Sequence, residues 1–426
     1  MDPVQIEDQP IFDMRAVSEQ IFADLAATSA NSVGITREAY AESEQAALDL
    51  IRSHAERFDL KTEIDAAANL VVTLPGKDPD RRFLACGSHM DSVPQGGNYD
   101  GAAGVVAGLV SLARMRSEGW VPQQAIKLMA FRCEESAWYG KPYIGSSALL
   151  GKLSEVDLES THRNGSRRLS EALAQVGADT ARIAAGEPLI DTQSIAAYLE
   201  LHIEQGPVMT ARNLPTAIVT GIRGAIRHRK MTCRGKAGHS GAVPRWLRQD
   251  ALFATAELIS TLDEHWQILL ERGLDIVVTS GIAETNANVH SMTRIPEEVS
   301  FSMEIRSQSV DALEAFYHLM RTECTNIEKN RRVKFLFDRR LFTSPARMNE
   351  TWIERLMDIS RRLDLPPETI PSGAGHDAAV FANAGVATAM IFVRNDNGSH
   401  NPAETMAMED FFKGTELLYH ALKEPI

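Results

Sequence analysis

The sequence predicts an α/β fold: a sheet covered by helices on both faces and interrupted by an inserted α+β unit. Three features predict it. Strand-type and helix-type segments alternate through the first half. Histidine and carboxylate side chains recur directly after the apolar segments. The pattern changes near Ile222 and returns after about residue 340.

In the first part, RRFLACGSH (81–89) reads as a strand and GVVAGLVSLARMRSEG (104–119) as a helix closed by glycine. QAIKLMAFRCEE (124–135) and AAYLELHIEQG (196–206) read as further strands. In such sheets functional loops gather at the carboxyl ends of strands. His89, Glu134, Glu135, His202 and Glu204 all fall at such ends.

The middle part opens with a polar strand, IRHRKMTCRG, and a loop, KAGHSGAVPRW. A helix from Asp250 to Arg272, strands around DIVVTSGI and EEVSFSMEIR, and a helix from Ser309 follow. Two strand-helix-strand units in this length predict a compact insertion over residues 222–338. The helix WIERLMDISRRL and the apolar segment VATAMIFV then return residues 339–426 to the architecture begun in 1–221. A chain of 426 residues is expected to hold two domains in any case.

Hydrophobic residues at 44% and charged residues at 24% are those of a soluble globular protein. A net charge of −13 leaves nothing to neutralise phosphates over a broad face, which argues against non-specific nucleic-acid binding. No apolar run approaches membrane-spanning length. The opening MDPVQIEDQPIFDMRAVSEQ has acids where a secretion signal has basic residues and an apolar core. Cys86, Cys133, Cys233 and Cys324 lack the close spacing of a thiol metal knuckle or a disulfide framework. The expectation is a cytoplasmic protein with neither nucleic-acid nor membrane partners.

The stretch GSHMDSVPQGGNYDG (87–101) places His89, Asp91 and Asp100 in one loop. Gathering them in a pocket requires a cation or a full set of hydrogen bonds. The alternative is a polar surface loop with aspartates at turn positions. CEES (133–136), LHIEQG (201–206) and NGSHNPAE (397–404) raise the same question. Singly each is weak, because a strand-end histidine is commonly a hydrogen-bonded structural residue and paired glutamates a solvated turn. Jointly they supply His89, Asp100, Glu135, His202 and His400, an inventory for two divalent ions sharing a carboxylate. Neutral imidazoles and only two carboxylates leave such a pair with net positive charge, enough to hold a hydroxide and polarise a carbonyl.

With GKAGHSGAVP and SGAGHDA, and in this order from residue 87 to 404, these motifs resemble the dinuclear zinc amidohydrolases that include aminoacylases and carboxypeptidases. They are most similar to the branch of N-carbamoyl-L-amino acid hydrolases, beta-ureidopropionases and allantoate amidohydrolases. The HIEQGP form, with His202 rather than an acidic ligand, favours that branch. The resemblance implies a zinc-exopeptidase-like sheet with an inserted ferredoxin-like dimerisation or lid domain, and a homodimer. It implies two divalent ions per subunit, zinc first, with manganese or cobalt as alternatives. One ion would be held by His89, His202 and Asp100, the other by Asp100, Glu135 and His400. Asp91 would orient His89, and Glu134 would be the general base. His239 would reach into the partner subunit's cleft to stabilise an oxyanion. Asn288 and Arg306 would bind substrate, Arg306 by clamping a carboxylate, with Gln205, Gly375 and His376 as further pocket residues.

Two segments depart from the family pattern. SAWYGKPYIGSS, with Trp138, Tyr139 and Tyr143, follows the paired glutamates where the family has a small residue, an arginine and a phenylalanine. TNANVHSMTRIPEEV is extended. The rings suggest an aromatic or otherwise non-standard acyl or amino group; the alternative is that they pack the loop. The leading expectation is hydrolysis of a linear amide or ureido bond in a small carboxylate-bearing substrate. An N-acyl-amino-acid deacylase or small-peptide hydrolase on the same metal core, and a non-catalytic binding protein, are the alternatives. A serine or cysteine nucleophile is disfavoured by the lack of an elbow motif.

Overall fold

The computed structural model describes residues 12–31 and 33–424. They divide into two compact units, one combining the chain up to Thr220 with the chain from Arg347, the other Gly221–Ala346. Residues 1–11, on which part of the reading of the amino terminus rests, lie outside the described residues.

The first unit is built on a nine-stranded sheet. Four parallel strands form its centre, in the order Ile126–Phe131, Phe83–His89, Ile195–Ile203, Thr388–Val393. Antiparallel strands extend both sides, Leu70–Leu74 then Lys61–Ile64 on one and Thr216–Ile222 on the other. Every residue of Ile195–Ile203 is buried, as expected of a parallel strand covered on both faces. Ala197, Leu199, Leu201 and Ile203 join the core formed with helices Ala102–Ser117 and Met408–Lys423. Tyr198, Glu200 and His202 take the opposite face by strand alternation, where Tyr198 stacks on Phe381 at 4.1 Å. The four parallel strands therefore deliver their carboxyl ends to one rim of the sheet.

Two helices in the segment the sequence left unassigned, Met14–Ser29 and Glu42–Arg57, belong to this core through Ile21, Leu25, Leu48 and Ile51.

The second unit is an antiparallel sheet ordered Ala283–Thr285, Glu298–Ser307, Gly224–Arg234, Lys334–Leu336, the β-α-β-β-α-β arrangement of a ferredoxin-like fold. Glu298–Ser307 alternates buried and half-buried residues along its length, because helices Ala251–Glu271 and Val310–Arg331 cover one face. Both helices start where side chains can cap them: Asp250 accepts from the Leu252 and Phe253 amides, and Ser309 from Ala312. Leu341–Thr343 pairs with Gly224–Arg234, which carries this unit on to residue 346. Among the described residues no helix is long and apolar enough to cross a membrane.

Candidate metal centre

His89 ends its strand, His202 lies one residue from the end of its own, and Glu134 and Glu135 follow Ile126–Phe131 by three and four positions. Asp100 precedes helix Ala102–Ser117, and His400 lies in the loop after Thr388–Val393. All converge on the rim. Asp100 Oδ1 lies 3.5 Å from His89 Nε2 and 3.3 Å from His202 Nε2. Its other oxygen, Oδ2, lies 3.3 Å from His400 Nε2, which is itself 3.1 Å from Glu135 Oε1. One carboxylate thus spans two triads, His89–Asp100–His202 and Asp100–Glu135–His400, each with its donor atoms within 4.8 Å of one another.

The donor chemistry fits cations in both triads. His89 Nδ1 is 3.0 Å from the Asp91 carbonyl and His202 Nδ1 is 2.9 Å from the Ile203 carbonyl. A carbonyl only accepts, so in the neutral ring each Nδ1 carries the proton and each Nε2 has a lone pair. Those lone pairs face each other at 3.5 Å, and Asp100 Oδ1 is buried between them without a hydrogen-bond partner. The Gly101 amide donates to His202 Nε2 at 3.2 Å, and in a protein interior the remaining acceptors, His89 Nε2 and Asp100 Oδ1, need a cation or extra protons. Without a cation, burial works against a charged His89, yet its hydrogen bonds to Asp100 and Asp91 hold its pKa well above the usual value. Hydrogen bonds to Asp100 and Glu135 raise His400 to about 11.

Cys133, Tyr143, Gln205 and His400 all have positive φ without being glycine. Gly101 sits at φ +67, where a Cβ would come within 2.5 Å of the His89 ring.

Asp91 does more than face His89. Its Oδ1 accepts from the Glu134 amide at 2.8 Å and its Oδ2 from the Glu135 amide at 3.1 Å, while its carboxylate is 3.4 Å from His89 Nδ1. The closer support of His89 is the Asp91 main-chain carbonyl. Glu134 Oε2 lies 3.9 Å from His89 Nε2. Burial drives the Glu134 carboxyl well above its ordinary range, with Glu135, Asp377 and Asp91 adding to the effect.

Gln205, expected in the substrate pocket, donates from Nε2 to Asp100 Oδ2 at 2.9 Å and so belongs to the bridging carboxylate's surroundings. His376 is fully buried, edge-on to His202 at 4.4 Å, with Nε2 2.9 Å from Ser372 Oγ. A Cβ on Gly375 would collide with the Tyr143 hydroxyl, so any side chain there requires the ring to move. Glu204, though at a strand end, caps the helix Val208–Arg212 by accepting from the Val208 and Met209 amides, both at 2.8 Å.

His239, Asn288 and Arg306 lie in the second unit. His239 and Asn288 are exposed; Arg306 is half-buried and paired with Glu304 at 2.9 Å. Trp138 and Tyr139 are buried. Trp138 stacks on His162 at 5.6 Å and donates to the Ser92 carbonyl at 2.9 Å. These two rings pack the loop, and the aromatic-substrate expectation loses its support from them; Tyr143 alone of the three is half-buried.

Several residues at the site had no role assigned from sequence. Ser399 Oγ bridges Asp100 Oδ2 (2.5 Å) and Glu404 Oε2 (2.6 Å), and Glu404 Oε1 accepts from the Tyr99 and Asp100 amides. The Arg37 guanidinium is fully buried and holds the loop between His89 and Asp100, donating to the Met90 carbonyl and to Asn98. Glu404 was within reach, since it closes the SHNPAE motif.

Residues 85–424 match the model of peptidase family M20/M25/M40. The chain is 34% identical over 394 residues to an N-carbamoyl-L-amino acid amidohydrolase of Geobacillus stearothermophilus, covering 92% of this chain and 93% of the relative. It is 28% identical to an allantoate amidohydrolase of Escherichia coli (strain K12), over 84% of this chain and 85% of that one. A crystal structure of a hydantoinase/carbamoylase family amidase from Burkholderia multivorans superposes with a TM-score of 0.87 at 25% identity, covering 97% of this chain and 99% of the other.

Proposed function

Because the chain belongs to peptidase family M20/M25/M40, and its named relatives are amidohydrolases of non-peptide carbon–nitrogen bonds, we propose that it hydrolyses the linear ureido bond of an N-carbamoyl-L-amino acid or a closely related carboxylate. The observation that carries this reading is Asp100, whose two oxygens face two separate donor triads. His89, His202 and Asp100 would hold one divalent ion, and Asp100, Glu135 and His400 the other, with zinc first and manganese or cobalt as alternatives. Bound there, such ions lower the pKa of a water and polarise the carbonyl it attacks.

The chain's own residues supply the proton handling. Glu134, beside the ligand Glu135, takes a proton from the attacking water and returns it to the departing nitrogen. Asp91 fixes both glutamates through their amides. Gln205 and Ser399 satisfy the outer oxygen of Asp100, which keeps that carboxylate from rotating. The backbone around Gly375 borders the substrate pocket, while the fully buried His376 packs against His202. From the second unit, Arg306 and Asn288 bind the substrate and His239 serves the partner subunit's cleft in a homodimer.

The test is a panel of N-carbamoyl-L-amino acids, allantoate, N-acyl amino acids and dipeptides, assayed after chelation and with zinc, manganese or cobalt restored. Metal-dependent turnover confined to ureido substrates supports the proposal. Turnover of dipeptides or N-acyl amino acids alone would replace it with a peptidase or deacylase, and two bound ions without any turnover would leave a binding protein.

A further inference from the structure

Three consecutive amides, those of Cys133, Glu134 and Glu135, are held by two buried carboxylates from distant parts of the chain. Asp91 takes the second and third. Glu44, on helix Glu42–Arg57, takes the first, accepting from the Cys133 amide through Oε1 at 3.0 Å. Its Oε2 accepts from the Tyr40 amide at 2.8 Å and from Arg132 Nη1 at 2.7 Å. Arg132 is fixed in turn by the Ala68 carbonyl and Gln45. Glu44 and Arg132 are both buried, a pairing whose desolvation is costly compared with an apolar pair of the same volume.

The geometry at Cys133 shows what this contact does. Cys133 has φ +51, a left-handed conformation that a residue with a side chain keeps only where its surroundings impose it. That turn follows the strand Ile126–Phe131 and keeps the chain out of the alternation in which successive side chains face opposite ways, so adjacent Glu134 and Glu135 both serve one site. We propose that Glu44 is a positioning residue: by holding the Cys133 amide it fixes the left-handed turn that presents Glu134 and Glu135. The inference rests on the roles given to those glutamates above.

The decisive variant is Glu44→Asp, which keeps a negative charge facing Arg132 but is one methylene too short to reach the Cys133 amide. In metal-loaded enzyme with an N-carbamoyl-L-amino acid, kcat is expected to fall at least tenfold with KM within twofold. In the metal-free protein, hydrogen exchange of the peptide containing Cys133 and Glu134 is expected to quicken at least tenfold. Adding Cys133→Gly, which adopts positive φ freely, is expected to recover at least threefold of the lost kcat. Ile51→Val, buried on the same helix, is expected to leave kcat within twofold of wild type. Should Glu44→Asp not fold, Glu44→Met with Arg132→Met removes both charges and the acceptor of the Cys133 amide together and carries the same expectations. Unchanged kcat, unchanged exchange, or no recovery with glycine each overturns the proposal. If wild type turns over nothing in the panel, the proposed function fails while the exchange measurement still decides the role of Glu44.

Discussion

The Nε2 atoms of His89 and His202 face each other at 3.5 Å across an unpartnered oxygen of Asp100, with each ring's Nδ1 against a main-chain carbonyl. This is a preformed donor set, because main chain rather than mobile side chains holds the rings. Removing the shared carboxylate affects both triads, whereas removing a terminal ligand affects one. Asp100→Ala is therefore expected to lose both metal equivalents by elemental analysis and His400→Ala only one. Binding to the folded chain alone also stabilises it, by about 4 kcal/mol at a thousandfold excess over Kd. Calorimetry should show the transition fall on chelation in wild type and stay put in Asp100→Ala.

Protons compete with the ion at His400. Its pKa, raised to about 11 by hydrogen bonds to Asp100 and Glu135, lies above the ordinary 6.5. The bound proton thus stabilises the metal-free fold fully below pH 6.5, and that contribution disappears as pH rises towards 11. A cation must displace the proton, so affinity at this triad is expected to increase with pH from 6 to 9. Titration calorimetry in buffers of different ionisation enthalpy should detect the released proton, and His400→Ala should lower the number of protons released without abolishing the release at the His89 triad.

Glu134→Gln removes the base while keeping its size and leaving the amide contacts to Asp91 in place. Turnover is expected to fall by about 10²–10⁴, with two metal equivalents retained. Loss of an ion from this variant would instead make Glu134 a ligand.

The five ligand candidates were legible because each is a polar side chain at or beyond the end of a buried apolar run, and a sheet brings such ends to one rim. The helix read as Asp250 to Arg272 was legible because Asp250 is a cap as well as a boundary. Arg37 and Glu44 were not: their partners lie 61 and 89 positions away, and no period or spacing in the sequence announces such a contact. Trp138 and Tyr139 show a different limit. An aromatic residue next to a catalytic motif has the same spelling whether it lines a pocket or packs beneath a loop, and only burial separates the two.

Trp138 accordingly serves the fold. Its indole donates to the Ser92 carbonyl and stacks on His162, so Trp138→Ala should cost about 3–5 kcal/mol of stability. The ratio of kcat/KM between aromatic and small aliphatic N-carbamoyl amino acids should stay within twofold of wild type. A large change in that ratio without loss of stability would return the ring to the pocket.

Gly101 and Gly119 both have positive φ, +67 and +68, in different surroundings, and Gly101 combines it with ψ −52. Beside Gly101 a Cβ would meet the His89 ring at 2.5 Å, while beside Gly119 nothing lies within 4 Å. Alanine at either position meets the strain of a positive φ that glycine escapes. Only at Gly101 must a ligand move. Gly101→Ala is therefore expected to weaken metal binding at the His89–Asp100–His202 triad at least tenfold. Gly119→Ala should lower thermal stability modestly and leave metal affinity unchanged. Equal metal affinities in the two variants would mean that the His89 ring can give way without cost, and that its rigid placement is not what holds the ion.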